Sequence, residues 1–477
     1  MTPAGAPRSS RYPLLLATVA FGGILAPLNS TMLAVALPEL RDDFSIGHGA
    51  IGWLISAYLI AMAVAQPLGG RLGDQLGRAR VFRLGLLAFL VLSLAAALSP
   101  SFPVLVLLRT GQALVGAAVI PNGMAMLRTS LPPDRLGRSM GITGATMSFA
   151  AAVGPLLGGA LLAVGSWRLL FLANVPIVLV ALACLAALRY PEPLETRRLE
   201  LDWPGALTFA GALVVLTLVL NSLGGGNAVV LAASAIGLVV LGAIFVQRQR
   251  TSLAPIVEWR LFRSPSYAGA TGYVLLSNLV MYTTLLSIPF FIEEVQGKGS
   301  GTSSTLLGAM SILIAAMSPI GGRLSDELGR RTPALAGSLL VVGALVMLLS
   351  GISRDVSYAY LAASLGVLGM GMGLSFGPAS TAAIESVSST LAGTASGTNS
   401  MMRYVGSIIG VGILGAILSE GSTPSIGLYR GMFAVLLGMA VLGSMTTLLI
   451  HRRLALEGRE REGLPAVSIE PPTITPG

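Results

Sequence analysis

Long apolar segments alternate with short polar loops along almost the whole chain. Each segment is about as long as the roughly 20 residues that a helix needs to cross a bilayer. Apart from closed barrels, only helices satisfy the backbone inside lipid, so the pattern predicts an all-α, polytopic membrane protein with fourteen transmembrane helices. The predicted segments lie near residues 13–37, 51–70, 81–99, 102–126, 139–163, 168–189, 204–222, 228–247, 267–292, 304–321, 332–351, 356–381, 393–418 and 430–450.

The composition agrees with this pattern and argues against a soluble domain. The 477 residues are 54% hydrophobic and 11% charged, with a mean hydropathy of +0.80, whereas soluble domains carry roughly 25% charged residues. The longest polar stretches, at 190–205 and from 451 onwards, are too short to form a packed enzyme core.

An enzyme that works inside the membrane would need a convergent acid, base or nucleophile within its spans. No Asp, Glu or His lies in the middle of a predicted span, and no metal-ligand cluster is visible in the sequence. We therefore expect no enzymatic activity, no cofactor and no metal.

Basic residues are distributed unequally between the two sides of the predicted bundle. The net charge of +9 comes from Arg and Lys scattered over short loops, which favours the positive-inside rule over nucleic-acid binding. An even number of spans puts both termini on one side, together with most basic loops. The loops of the other side hold Arg41, Arg168, Lys298, Arg354 and Arg430. We predict a multi-pass protein of a cell (inner) membrane, with both termini cytoplasmic, the lipid bilayer as a partner and no nucleic acid.

One charged loop occurs twice. GGRLGDQLGRAR at 69–80 returns as GGRLSDELGRR at 321–331, with an offset of 252 residues between Gly70 and Gly322. If the seventh and eighth spans are an insertion, each copy lies between the second and third helices of a six-helix block, as in the internal repeats of many secondary transporters. The predicted domains are an N-terminal six-helix bundle at 13–189, a linker with two inserted transmembrane helices at 190–266, a C-terminal six-helix bundle at 267–450, and a cytoplasmic tail at 451–477.

Four further motifs lie along the chain. They are LNSTMLAVALP at 28–38, Arg109-Thr110-Gly111-Gln112, Gly154-Pro155-Leu156-Leu157-Gly158-Gly159, and Trp167-Arg168 with Phe171, Asn174 and Pro176. Together with the loop at 69–80, these motifs resemble the major facilitator superfamily, specifically its fourteen-helix drug:proton antiporter branch. The loop is similar to that superfamily's signature between helices 2 and 3, and the copy at 321–331 lies where the second half should carry it. The resemblance extends from about residue 14 to 450, with Ala113 where the branch has a glycine.

The resemblance implies a major facilitator fold with two six-helix bundles plus two additional central helices. It also implies a multidrug efflux transporter, linked to antibiotic resistance, that exports amphipathic drugs or related small molecules by alternating access and proton antiport. We expect a monomer with a small-molecule substrate and protons as the coupling ion. The alternative is an exporter of a lipid or an endogenous metabolite with weak or no proton coupling. Two repeated halves favour a transporter over a channel, and nothing resembles a ring of filter residues.

The repeated loops are predicted to gate the inner face. Asp74 can accept charge-assisted hydrogen bonds from neighbouring arginines or face a helix N-terminus, and by resemblance this loop stabilises the outward-facing state. A plain solvated loop would explain the arginines but neither Asp74 nor its repetition. The predicted gating-loop residues are Gly70, Arg71, Asp74, Gly77, Arg78, Arg323, Asp326 and Arg330.

A second predicted device is a hinge in the fifth span, formed by Gly154, Pro155, Gly158 and Gly159. Proline removes one backbone hydrogen bond, and the glycines admit close packing, so this helix can bend or slide against a neighbour. The resemblance assigns it the role of the antiporter hinge. Simple tight packing of small residues is the alternative.

Arg109 and Arg403 lie within predicted spans. A charge at membrane depth is costly unless it faces a cavity or a partner; a side chain that reaches the membrane interface is the alternative. Polar side chains such as Asn278 and Tyr282 can line a cavity or join two helices by a hydrogen bond.

The first span departs from the branch, because Asn29 replaces the usual aspartate and cannot bind a proton. Either Glu293, with a pKa raised by desolvation, or Asp74 then serves as the exchange site. Otherwise coupling is weak, and the substrate is neutral or anionic with Arg109 and Arg403 as its electrostatic partners. The candidate coupling or substrate-binding residues are Asn29, Arg109, Gln112, Asn278, Tyr282, Glu293 and Arg403.

Overall fold

The computed structural model describes residues 12–131, 133–188, 190, 202–223, 228–252, 255–388, 391–417 and 425–451. All regular elements of this part of the chain are helices. The tail expected at 451–477 lies outside the described residues apart from His451, as does most of the charged linker between the sixth and seventh spans.

Sixteen α-helices follow one another along the described chain, together with a 3₁₀ turn at Trp259–Arg263 and a π-turn at Phe291–Val295. The helices are α1 (Tyr12–Ala34), α2 (Leu37–Asp43), α3 (His48–Leu76), α4 (Arg78–Ala97), α5 (Phe102–Ser130), α6 (Pro133–Val164), α7 (Arg168–Leu172), α8 (Asn174–Leu188), α9 (Trp203–Leu223), α10 (Ala228–Thr251), α11 (Pro265–Phe290), α12 (Ser300–Leu328), α13 (Arg331–Gly351), α14 (Tyr358–Glu385), α15 (Ala392–Ile417) and α16 (Ile426–Thr447).

Fourteen spans in the described residues are long and apolar enough to cross a membrane, which confirms the number predicted from the sequence. Helices α7 and α8 together form the sixth span, and the π-turn extends α11 to complete the ninth. The short helix α2 is not a span. Because successive spans alternate in direction, α1 begins and α16 ends at the same face, which we call the terminal face; α2 lies at the opposite face.

Glycine sets the sharp turn in both copies of the repeated loop. Gly77 separates α3 from α4 with a φ of 96°, and Gly329 separates α12 from α13 with a φ of 81°. This backbone conformation is strained for side chains with a Cβ atom. The same residue therefore reverses the chain at equivalent positions of the repeat.

Packing divides the spans into two halves. In the first half, α1–α8, helix α1 packs on α5, α6 and α8, while α5 also packs on α3 and α4. In the second half, α11–α16, helix α14 packs on α11, α12 and α13, while α11 also packs on α15 and α16. The halves meet mainly where α6 contacts α12 and where α3 contacts α15.

Helices α9 and α10 pack on each other, and α9 also contacts α3 and α15. The pair therefore lies beside the junction of the two halves. Few residues of α10 are buried, and apolar side chains such as Val229, Ile236 and Val239 are exposed. This is the pattern of a helix that faces lipid over most of its surface.

A buried polar network anchors this pair at the terminal face. Asp202 accepts hydrogen bonds from Arg248 Nε at 3.0 Å and from Gln249 Nε2 at 3.2 Å. Gln249 Oε1 in turn accepts from the backbone amides of Ile256 and Val257. The network thus joins the start of α9 to the end of α10 and to the segment that leads into α11.

We expect Asp202→Asn to destabilise the protein at neutral pH by about 1–2 kcal/mol, because the network loses charge-assisted hydrogen bonds. The partial exposure of Arg248 keeps the effect from being larger. Burial alone would raise the pKa of Asp202, but the hydrogen bonds from Gly205 and Arg248 outweigh it and lower that pKa. The charged form therefore stabilises the fold above the ordinary aspartate pKa of about 4, and this contribution is lost as the pH falls through the lowered value.

The thermal unfolding midpoint of detergent-solubilised protein measures this effect. The midpoint of the Asp202→Asn variant should be lower than that of wild type at pH 7, and this difference should shrink in acid. Asp355→Asn is the matched control, because Asp355 is exposed. Equal midpoints for the two variants at pH 7 would contradict the prediction.

Candidate functional site

A cavity of about 220 Å³ lies between the two halves. Helices α1, α3, α5 and α6 of the first half line it, together with α11, α12, α14 and α15 of the second half. Much of its wall is apolar. Its lining includes five methionines, whose unbranched side chains adapt to different apolar shapes: Met62, Met147, Met281, Met310 and Met372.

Hydroxyl groups supply most of the polar wall. The hydroxyl groups of Ser30 and Tyr282 are hydrogen-bonded at 2.8 Å, and this bond joins α1 to α11 across the two halves. The two residues are 252 positions apart, the offset of the repeated loop. Ser30 and Tyr282 are therefore at equivalent positions of the two halves. Equivalent residues of a duplicated structure with a pseudo-two-fold axis can touch each other only near that axis, so this hydrogen bond lies where the two halves meet.

Arg403 is the charged side chain of the cavity wall within the described chain, and no Asp or Glu of that part of the chain lines it. The guanidinium carbon lies 5.5 Å from the ring centroid of Tyr404 and 5.8 Å from that of Phe376. The described residues place no carboxylate in an ion pair with it.

Arg109 lies behind this wall and is fully buried. Its guanidinium carbon is 4.3 Å from the ring centroid of Tyr58, which lines the cavity, and 5.8 Å from that of Phe171. None of its three guanidinium nitrogens has a hydrogen-bond partner among the described residues. The side chain does not reach a solvent-exposed surface.

The other polar candidates separate into two groups. Asn278 lines the cavity and donates to the Val274 carbonyl of its own helix at 2.8 Å. Gln112 is buried away from the cavity, where its amide donates to Ser93 Oγ at 2.8 Å and joins α5 to α4. Asn29 is buried, and both polar atoms of its side chain lack a partner within the described chain. The structure therefore brings Asn278, Tyr282 and Arg403 together, with Arg109 nearby.

At the opposite face, an ion pair joins the halves. Arg41, at α2, pairs with Glu294, at the end of the ninth span, and also with Asp42 at 2.9 Å. The side chains of Arg41 and Glu294 are only 16% and 11% exposed. This ion pair was not predicted from the sequence, where Arg41 counted only as a loop charge. The opposite charges of Arg41 and Glu294 at nearly equivalent positions of the repeat were a usable signal.

Glu293 lies at this same face, in a depression that is separate from the central cavity. The depression also contains Glu39, Asp42, Asp43 and Lys298. Burial raises the pKa of Glu39, although a hydrogen bond from the Trp167 amide opposes the shift.

The Trp167-Arg168 motif positions α2 at the opposite face. The indole Nε1 of Trp167 donates to Asp43 at 2.8 Å, its backbone amide donates to Glu39 at 3.1 Å, and Arg168 pairs with Asp43 at 3.5 Å. These contacts fix the helix that carries Arg41.

At the terminal face, each repeated loop contains an internal ion pair. Asp74 and Arg78 are 2.6 Å apart and partly exposed, as are Asp326 and Arg330. Arg71 also donates to the Pro255 carbonyl, which precedes α11. Gly70 lies beside Pro121 of α5, and Arg323 is exposed.

The second loop has a stronger anchor. Arg330 binds both carboxylate oxygens of Glu385, at 2.8 and 2.9 Å, and so joins this loop to the end of α14. Its carboxylate partners raise the pKa of Arg330 further above its ordinary value, although burial opposes them. The sequence did not predict this contact, because the partners are 55 positions apart.

The predicted hinge residues lie on α6 between two different neighbours. Gly154 and Gly158 face α1 near Met32, within the same half, whereas Gly159 faces Ser304 of α12 in the other half. Pro155 lies inside the helix. The segment therefore contacts both a helix of its own half and a helix of the other half.

Comparison with known proteins agrees with this architecture. The profile of the Major Facilitator Superfamily matches residues 19–411, and the chain belongs to that family. It is a multi-pass membrane transporter and not an enzyme.

Among relatives, an uncharacterised MFS-type transporter of Bacillus subtilis, YvkA, is 33% identical over 91% of this chain and 95% of its own. The multidrug resistance protein Stp of Mycobacterium tuberculosis is 32% identical over 85% of this chain and 76% of its own. The crystal structure of a D-xylose-proton symporter superposes with a TM-score of 0.68 at 12% identity, over 92% of this chain and 98% of that one. That similarity shows the shared fold.

Proposed function

We propose that this protein exports amphipathic small molecules, including drugs, across the cytoplasmic membrane by alternating access and proton antiport. The observation that carries the proposal is a largely apolar cavity between the two halves, with an ion pair between the halves at the opposite face. A relative named for multidrug resistance supports the substrate class. With cytoplasmic termini, the described conformation is closed toward the outside.

In this proposal the two halves rock about the cavity. The Arg41–Glu294 pair and the α6–α12 contact hold the outer side closed, and both must separate for release. The gating loops act in the other state, when the inner side is closed. Each gating loop has an exposed carboxylate, Asp74 or Asp326, that can change partners at little cost.

The second candidate is export of a lipid or an endogenous metabolite with weak or no proton coupling. Two observations favour it: Asn29 occupies the position of the acid expected in the first span, and no carboxylate of the described residues lines the cavity. If antiport operates, Glu293 or Asp74 is the proposed exchange site. Both are near a membrane face and outside the cavity wall.

The test uses everted membrane vesicles and a panel of amphipathic acids, neutral compounds and amines. We expect vesicles with the protein to accumulate at least one member when a proton gradient is imposed, because alternating access converts that gradient into export. Vesicles without the protein are the control. Accumulation that is unchanged after the gradient is collapsed would refute antiport, and accumulation of none would refute drug export.

A further inference from the structure

The charge of the cavity wall points to the charge of its substrate. Arg403 faces the cavity, and the carboxylates of the described chain neither line that cavity nor pair with this guanidinium. A cation held in a low-dielectric interior without a counter-charge is costly. An acidic group on a bound molecule would supply the missing charge.

Arg109 adds a second, independent observation. It is fully buried, its three guanidinium nitrogens have no acceptor within the described residues, and its charge lies over the ring of Tyr58. Tyr58 in turn lines the cavity. Two cations, one in the wall and one immediately behind it, therefore make the potential of the cavity positive.

The remaining polar groups suit the same ligand. Hydroxyl groups can donate hydrogen bonds to an anion, and the wall contains those of Tyr282, Tyr404 and Ser311. The apolar remainder of the wall, with its methionines, suits a hydrophobic body. A lipophilic cation in the cavity would be repelled by Arg403, and no carboxylate of the described wall would offset that repulsion.

We propose that the central cavity binds amphipathic organic anions, with the acidic group on the Arg403 guanidinium and the apolar body against the methionine-rich wall. The proposal rests on the export function above and specifies its substrate class. Arg403 acts as the charge-selecting residue. Arg109 strengthens the attraction through the field it creates, without contacting the ligand in the described arrangement.

Equilibrium binding to the purified full-length protein tests this with three probes that share one apolar body. At pH 7, 1-naphthaleneacetate is an anion, 1-naphthaleneacetamide is neutral and 1-naphthylmethylamine is a cation. We expect the acid to bind most tightly and the amine most weakly. Arg403→Gln should weaken binding of the acid by roughly tenfold or more, since charge-assisted hydrogen bonds are lost. It should leave binding of the amide almost unchanged.

Two variants separate recognition from folding. Arg403→Lys keeps the charge and should retain part of the preference for the acid. Arg354→Gln removes a charge from an exposed position at the opposite face and should change nothing. Laurate serves as a fourth probe. If laurate binds more tightly than 1-naphthaleneacetate and also depends on Arg403, the natural ligand of the site is a lipid carboxylate.

Several results would overturn the proposal: equal binding of the three probes, tightest binding of the amine, binding of none, or equal weakening of all three by Arg403→Gln. Failure of the proposed export function can be distinguished from failure of the proposed anion site. If the acid binds but no compound accumulates in vesicles, the anion site stands and export is wrong. If amines accumulate and the acid does not bind, export stands and the anion site is wrong.

Discussion

Gly159→Leu is expected to reduce transport by roughly tenfold or more, because it prevents α6 and α12 from closing together. A Cβ atom on Gly159 would lie 2.5 Å from Ser304 Cβ, where ordinary contacts begin at 3.4 Å. Overpacking of this kind costs about 1–3 kcal/mol, and a shift of that size changes the ratio of two conformations by about 5- to 150-fold. The cost applies only to the state in which the opposite face is closed.

Two measurements check this. The initial rate of substrate accumulation in vesicles should fall. For the second measurement, Ser311→Cys places a cysteine in the cavity wall, and Cys184→Ser removes the natural cysteine. In the Gly159 variant this cavity cysteine should react faster with an impermeant maleimide added at the opposite face. Gly343→Leu is the matched control, because nothing lies within 4 Å of the added Cβ atom on α13. Wild-type transport and labelling in the Gly159 variant would show that the α6–α12 contact does not gate the cavity.

Arg41→Glu should have a comparable effect through charge. The substitution replaces the pair with Glu294 by a repulsion, next to Asp42 and the acidic depression that contains Glu39 and Glu293. Removing one partner of a buried pair costs about 3–5 kcal/mol, and partial exposure of this one reduces that figure. We therefore expect about a tenfold loss of transport with faster labelling of the cavity cysteine from the opposite face.

The exchanged double variant, Arg41→Glu with Glu294→Arg, should recover much of the lost activity because it restores the attraction. Arg430→Glu makes the same charge change at an exposed position of the same face and should transport normally. No recovery in the double variant would indicate that Arg41 acts through another contact. Burial by itself lowers the pKa of Arg41, but its pairs with Asp42 and Glu294 outweigh burial and raise it, so Arg41 stays charged throughout the accessible pH range.

Much of the site could not be predicted from the sequence, because the amino-acid pattern does not show which side chains face the cavity. The spans are hydrophobic on all sides, so helical periodicity does not reveal which face of a span meets the cavity. Gln112 and Asn278 were both candidates, yet Gln112 joins α5 to α4 while Asn278 lines the cavity. That Arg109 has no hydrogen-bond partner among the described residues likewise depends on which helices surround it.

Local composition and short motifs were enough to predict the fourteen spans, the family and the repeated loop. Gly77 and Gly329 even mark the two reversals at equivalent positions of the repeat. Which charges form ion pairs became visible only in the folded protein, as with Arg41 and Glu294 or Arg330 and Glu385. Such pairs join distant spans, and their contacts depend on the rotation and lateral packing of whole helices, which no local pattern encodes.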